Sequence, residues 1–362
     1  MISVLLPYTK PGVEAGGPLQ SIVRVCDYLE KEYDYQIVTK CNNFKNTAVE
    51  DTEARHKVLL LPKFTFRELL PIINKSSVVW INSIYSVPFS FMPLITLLFS
   101  KRTTVTVLIS ARGQLLQGSI NFKKKIYLQV YSFLLKISRN RVYLHYSTEE
   151  EKEKSYPIFK DFDSLMFANP LNNKFTNPSI KTHNKNRYVL GYLGRIAPIK
   201  NIEFILQLMP KLPAHIAFHI YGVVADIEYE KKLKKRIYQL GLQDRVVFKG
   251  AYAYNEINAC YNEVDLAVIP SKSENFCYSF FEAIENKTPI IASNGLPWNM
   301  ANTFQEETIL PLKSDVWIAK IVELSLTSDK INTKKQGGLE QFYKFVASSV
   351  KEDTLQSFKT LT

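Results

Sequence analysis

Cysteine is scarce in this chain: four residues, Cys26, Cys41, Cys260 and Cys277, in 362. They form no Cys-x-x-Cys pair and no histidine stands at ligand spacing from them, which argues against a structural zinc site and a secreted disulfide framework. Glycine is also sparse, at 13 residues, while hydrophobic residues make up 46% and charged residues 22%. That composition excludes collagen and disorder. The amino terminus, Met1-Ile2-Ser3-Val4-Leu5-Leu6-Pro7, lacks both the basic start and the apolar length of a signal peptide, so the expected location is the cytoplasm.

Acid is missing from one long stretch. Between Lys101 and Arg141 stand nine basic residues and no Asp or Glu. Residues 1–180 carry 23 basic and 15 acidic residues, so most of the formal charge of +12 lies in the first half. A solvated face is the ordinary reading of such a block; phospholipid and diphosphate are the anionic partners it would suit. No zinc finger, RNP aromatic motif or helix-turn-helix pattern accompanies it, and nucleic acid is not an expected partner. Residues 76–100 lack charge altogether, over a length that could cross a bilayer. Asn82, Pro88, Pro93 and several serines break that stretch into a buried strand at 78–81, a polar loop and a short apolar helix beginning near Pro88. That helix would be core or surface, or would rest against a bilayer.

Apolar runs of strand length alternate with helical patterns throughout. In the first half strands are expected at 2–7, 35–39, 58–62, 78–82, 104–110 and 142–146, with helices such as 19–31 and 122–137. In the second half strands are expected at 188–194, 216–221, 246–249, 266–270 and 289–292, with helices near 202–208, 229–239, 254–262 and 279–285. Strand followed by helix, repeated, means a parallel sheet covered on both faces. A stretch rich in Asn, Lys, Thr and Pro near 169–186 separates the two series. The expected organisation is therefore an α/β chain of two Rossmann-like domains: residues 1–170, a linker over 171–187, residues 188–345, and a helix over 346–362 that crosses back to the first domain. A ligand is expected in a cleft facing the carboxyl ends of both sheets.

The segment Ser273-Glu274-Asn275-Phe276-Cys277-Tyr278-Ser279-Phe280-Phe281-Glu282-Ala283 follows the strand expected at 266–270. It therefore lies on the loop and helix start at a carboxyl edge. Glu274 in the loop and Glu282 in the helix can accept hydrogen bonds from sugar hydroxyls, while helix N–H groups suit phosphate. Gly191-Tyr192-Leu193-Gly194-Arg195 ends the first strand of the same domain, with Lys200-Asn201 just beyond. Arg195 and Lys200 would neutralise a leaving diphosphate, one by a planar fork and the other as a point charge. Gly16-Gly17-Pro18 precedes the first helix, where glycines let backbone approach a phosphate.

Taken together, these elements resemble the retaining GT-B glycosyltransferases of family 4, the group that builds bacterial lipopolysaccharide, capsule and exopolysaccharide. Ser110-Ala111-Arg112-Gly113-Gln114-Leu115 is similar to the Ser-Pro-Arg-Gly-Met-Leu element of that branch. Residues 148–151 and Asn169-Pro170 fall where the branch has its Thr...Glu helix start and interdomain Asn. The resemblance covers nearly the whole chain. It implies a nucleotide-sugar donor, UDP-linked, used without a metal or tightly bound cofactor. The acceptor would be lipid-linked or a polysaccharide, met at the cytoplasmic face of a membrane whose anionic surface is a further partner.

By that resemblance Glu274 binds the donor sugar, Glu282 the ribose, and Arg195 with Lys200 the diphosphate. Gly16, Gly17, Gly222, Asn275, Phe276, Cys277 and Tyr278 line the donor site; Asn82 and Arg112 stand on the acceptor side. Catalysis is electrostatic, with no enzymic nucleophile. The chain departs from the family in having Asn275-Phe276-Cys277 for Gly-Phe-Gly, Asn201 for the Gly after Lys, and Asn82 for a His. The first two make the donor loop bulkier, and Asn82 can hydrogen-bond a hydroxyl but cannot act as a base. The alternatives are a GT-B epimerase, a sugar-phosphate synthase, or a non-catalytic partner subunit. The single Asp-x-Asp, Asp161-Phe162-Asp163, lies near the linker.

Overall fold

The computed structural model describes residues 1–6, 16–40, 49–50, 57–100, 105–115, 120–171, 187–253, 256–326 and 337–362. They divide into two compact units, with boundaries at Gly17/Pro18, Pro170/Leu171 and Ser348/Ser349, so that Gly16 and Gly17 group with the second unit.

The first unit holds strands β1 (Ile2–Leu5), β2 (Tyr35–Lys40), β3 (Val49–Glu50), β4 (Val58–Leu61), β5 (Val78–Ile81), β6 (Thr106–Ser110), β7 (Arg141–Tyr146) and β8 (Asp163–Met166). They make one sheet in the order β3-β4-β2-β1-β5-β6-β7-β8. All neighbours are parallel except β3 with β4. Its helices are α1 (Gly16–Leu29), α2 (Phe66–Lys75), α3 (Met92–Leu98), α4 (Phe122–Ile137) and α5 (Glu149–Lys154). β5 is Val-Val-Trp-Ile and every residue is buried, the continuous apolar run expected of a strand covered on both faces.

The second unit holds β9 (Tyr188–Leu193), β10 (Ile216–Tyr221), β11 (Val246–Gly250), β12 (Leu266–Ile269), β13 (Ile290–Ser293) and β14 (Ile309–Leu310). Their order is β11-β10-β9-β12-β13-β14, parallel throughout. Helices α6 (Ile202–Leu208), α7 (Ile227–Gln239), α8 (Ile257–Asn262), α9 (Tyr278–Glu285), α10 (Ala301–Phe304) and α11 (Ser314–Leu326) alternate with them. A final helix, α12 (Gly337–Leu361), contributes to the second unit as far as Ser348 and to the first unit thereafter.

Three expectations change. The last helix begins at Gly337, nine residues before the expected start at 346. Gly-Gly reads locally as a turn, yet a Cβ on Gly338 would lie 2.0 Å from the Phe304 carbonyl oxygen, so that glycine is a close approach inside a helix. β8, an edge strand with a largely exposed pattern, has no apolar run to announce it; Asp163 opens it, while Asp161 pairs with Lys136 at 2.9 Å. In the uncharged stretch β5 is followed by a π-helical turn, Val87–Phe91, and then α3. Most of that stretch is core. Among the described residues no helix is long and apolar enough to cross a membrane. Residues 172–186 of the linker expected over 171–187, and residues 254–255 at the start of the helix expected near 254–262, lie outside the described residues.

Candidate active site

In the second sheet the chain winds outward in both directions from the adjacent strands β9 and β12. Such a switch point leaves a crevice at the carboxyl ends of the two strands, the usual ligand position in an open parallel sheet. The chain leaving β9 carries Gly194-Arg195 and then a 3-10 turn, Pro198–Lys200; the chain leaving β12 carries Ser271 to Glu274.

Several hydrogen bonds lace these loops together. Lys272 N–H donates to the Ile199 carbonyl at 2.9 Å, and Asn201 Nδ2 donates to the Pro270 carbonyl at 3.1 Å. Glu274 N–H donates to the Gly295 carbonyl at 2.8 Å, and the Ser293 hydroxyl donates to the Ser271 carbonyl. On this base Lys200 Nζ meets Glu274 Oε1 at 2.5 Å, with side chains 16% and 9% exposed. Ser271 Oγ donates to the same oxygen at 2.6 Å.

The structure thus brings Lys200 and Glu274 into one ion pair, whereas the sequence reading counts Lys200 as a free positive charge. Among the described residues the exposed Arg195 side chain makes no hydrogen bond or ion pair. Its carbonyl accepts from the Tyr192 hydroxyl at 2.8 Å, which shapes the loop. Burial, then the Glu274 charge, hold the Tyr192 phenol well above its ordinary pKa.

Of the three positions where the resemblance expects glycine, Asn201 and Cys277 have positive φ, at 55° and 65°, and Asn275 does not. Asn tolerates this left-handed region better than most residues, and the buried Asn201 amide also tethers the neighbouring loop. Cys277 has no amide to tether a neighbouring loop, and its thiol lies 3.4 Å from Ser279 Oγ. The thiol is buried and pushed up to about 12, first by burial and then by the Glu274 charge.

Other assigned residues take different roles from those expected. Phe276 is buried, its ring packed against Phe281 and Trp298, and Cys277 is buried beside it, so both side chains turn into the fold and away from solvent. Tyr278 is half-buried with its ring 4.8 Å from that of Phe276, and the Asn275 side chain contains a buried oxygen. Gly222 is a packing glycine: at φ 140°, a Cβ would lie 1.9 Å from the Gly194 carbonyl oxygen. Its N–H is already donated to Gly250 at 2.7 Å. Glu282 is only 6% exposed. Burial, followed by the Glu282 charge, raises the phenol of Tyr252, and the same two causes lead for Tyr261. The Glu282 carboxylate is therefore not open to solvent, because α9 is buried from Phe280 through Glu285. Gly16 and Gly17 open α1; residues 7–15 before them lie outside the described residues.

In the first unit Asn82 follows β5 and Arg112 follows β6. The Arg112 guanidinium donates through Nη1 to Ser21 Oγ at 2.7 Å and Asn169 Oδ1 at 2.9 Å, and through Nη2 to Asn82 Oδ1 at 3.1 Å. Arg112 has φ 49°. Its loop is pinned by Glu151, which accepts from Gly113 N–H at 2.5 Å and from Ser147 N–H and Oγ at 2.8 Å each. Asn82 therefore already spends its carbonyl oxygen on Arg112. Sequence reading misses the buried chain beneath: Trp80 Nε1 donates to Ser110 Oγ at 2.7 Å, Ser110 meets His145 Nδ1 at 2.8 Å, and His145 Nε2 meets the Phe167 carbonyl at 2.9 Å. A carbonyl can only accept, so Nε2 carries the proton and Nδ1 accepts from Ser110. Burial, then the Arg112 charge, lowers the His145 pKa to about 3.

The two parallel-sheet units have the GT-B glycosyltransferase fold, seen in solved structures that cover nearly the whole chain. The crystal structure of Anabaena HepE in complex with UDP and glucose matches 99% of this chain and 98% of its own, with TM-score 0.74 and 16% identity. Sucrose-phosphate synthase from Thermosynechococcus elongatus matches 99% and 97%, with TM-score 0.72 and 15% identity. Within the chain, residues 173–302 match the family model described as Glycosyl transferases group 1. The O-antigen chain mannosyltransferase RfbU of Salmonella typhimurium is 26% identical over 178 residues, 48% of each chain. The lipopolysaccharide core biosynthesis mannosyltransferase LpcC of Rhizobium leguminosarum bv. viciae is 29% identical over 113 residues, 30% of this chain and 32% of that protein. The matches thus span about half or less of these curated relatives.

Proposed function

We propose that the chain is a retaining glycosyltransferase that moves a sugar from a UDP-linked donor to a lipid-linked or polysaccharide acceptor in bacterial surface glycan synthesis. The observation that carries this reading is the Lys200–Glu274 pair at the switch point of the second sheet, inside the segment that matches the group 1 family model. The pair sets a cation suited to diphosphate beside a carboxylate suited to sugar hydroxyls.

On donor binding, Lys200 and Arg195 share the diphosphate charge, and Glu274 turns its oxygens to the sugar. Glu282 serves the ribose, and Asn82 with Arg112 shape the acceptor side. The reaction breaks the bond between the anomeric carbon and the diphosphate oxygen and joins that carbon to an acceptor oxygen. The acceptor proton passes to the departing phosphate oxygen. The positive charges stabilise the leaving group as its charge develops, so transfer needs no metal; a lipid-linked acceptor would be met at the inner face of the membrane.

A panel of nucleotide sugars, assayed by transfer to lipid-linked and polysaccharide acceptors with and without chelator, tests the reading. Retained anomeric configuration and undiminished turnover in chelator are expected. Abolition by chelator and rescue by manganese or magnesium would remove the metal-free step. Donor rearrangement without acceptor would indicate an epimerase, transfer to a small sugar phosphate a synthase, and absence of nucleotide-sugar binding a partner subunit.

A further inference from the structure

We propose that Ser271 is the positioning residue of the sugar-binding carboxylate: its hydroxyl keeps hold of Glu274 Oε1 when the diphosphate draws Lys200 away, so that Oε2 is presented to the sugar. The inference rests on the transfer reading and deepens it.

Two donors converge on one oxygen. Ser271 Oγ stands 2.6 Å and Lys200 Nζ 2.5 Å from Glu274 Oε1, while Oε2 takes no hydrogen bond or ion pair among the described residues. The carboxylate is thus gripped at one end, and its other oxygen can accept from a sugar hydroxyl.

The two donors differ in what they can do next. Ser271 is fully buried, and its carbonyl accepts from the Ser293 hydroxyl. The loop after β13 passes so close that a Cβ on Gly295 would lie 2.5 Å from the Ser271 carbonyl oxygen. A short side chain on a backbone clamped in this way cannot follow a ligand. Lys200 is a point charge on a flexible stem, its side chain 16% exposed, and a diphosphate offers it more negative charge than one carboxylate does. The loops themselves stay laced through Lys272 N–H to the Ile199 carbonyl and Asn201 Nδ2 to the Pro270 carbonyl, so only the lysine side chain has to move. Once it has moved, Ser271 is the donor that remains on Oε1 among the described residues. It denies the carboxylate its rotational freedom and holds Oε2 in one geometry for the transition state.

Ser271→Ala deletes the hydroxyl and nothing else. Transfer from the nucleotide sugar that the wild type turns over, and UDP binding by calorimetry, are measured on the wild type, Ser271→Ala, Glu274→Ala and the double variant. Ser271→Ala is expected to lower kcat about 10- to 100-fold, the scale of one hydrogen bond to a charged group, and to leave UDP affinity within about twofold, since Lys200 and Arg195 are untouched. In the Glu274→Ala background the same change should cost less than about twofold, because a residue that acts through Glu274 then has nothing left to position. A serine that merely shapes the loops would behave differently: its loss would weaken UDP binding together with kcat, and would cost as much without Glu274 as with it. Either of those results, or a Ser271→Ala variant that transfers as the wild type does, would overturn the proposal while the transfer reading stands. A wild type that transfers from no nucleotide sugar would remove the transfer reading and this proposal with it.

Discussion

Glu274 and Glu282 stand eight positions apart, and their surroundings assign them opposite burdens. Glu274 is held at the edge of the sheet by Lys200 and Ser271, where its oxygens can turn to a ligand. Glu282 is a buried residue of α9 whose charge acts on the phenols of Tyr252 and Tyr261, so removing it disturbs packing as well as binding. We expect Glu274→Ala to lower transfer by about 10² to 10³ and, because it leaves the largely buried Lys200 unpaired, to lower the melting temperature as well. Glu282→Ala should raise the donor KM and lower the melting temperature, by about 2–4 °C for each kcal/mol lost in a domain of this size. Steady-state kinetics and a thermal melt on both variants decide it; small, equal kinetic effects would remove both assignments.

Among the elements, α12 shows how a helix can depend on a single close contact. Gly338 faces the Phe304 carbonyl, whereas Gly337 beside it has nothing within 4 Å of where a Cβ would stand. Further along, the Tyr343 hydroxyl donates to Glu285 at 2.5 Å and couples α12 to α9. Gly338→Ala must displace backbone and should cost about 1–3 kcal/mol, the usual scale of overpacking. Gly337→Ala should change stability by less than about 1 kcal/mol, the size of the helix preference for alanine. Urea denaturation of the pair reads the difference directly. Equal midpoints would mean that α12 does not pack at Gly338 as described.

Across the whole molecule, acid should be the main destabilising condition. The folded His145 pKa near 3 lies below the ordinary 6.5, so between these values the unfolded chain holds a proton that the folded chain refuses. Its stabilising contribution is complete above about pH 6.5 and is lost as pH falls, by about 1.4 kcal/mol per pH unit within that window. Glu263 acts in the same direction, because its hydrogen bond from Lys249 lowers its pKa in the folded protein. Urea midpoints measured from pH 7 to pH 4 should fall, and His145→Gln should lose the histidine part of the slope. A wild-type midpoint that stays level would contradict the buried neutral imidazole.

The strand and helix alternation was legible because buried parallel strands must be apolar on both faces. β10, α4 and α6 occupy the residues that their patterns indicate. The Lys200-Asn201 and Glu274 loops were legible for a related reason, since each follows a recognisable strand. Short β8 and the Gly-Gly start of α12 were not, because an exposed edge strand has no apolar run and Gly338 answers to a carbonyl 34 residues earlier. Only the tertiary structure could pair Lys200 with Glu274, turn Phe276 and Cys277 inward, bury Glu282 and commit the Asn82 oxygen to Arg112. Periodicity reports which face of an element avoids water. The partner a polar atom meets depends on strand order and loop packing, which join residues that no local pattern connects.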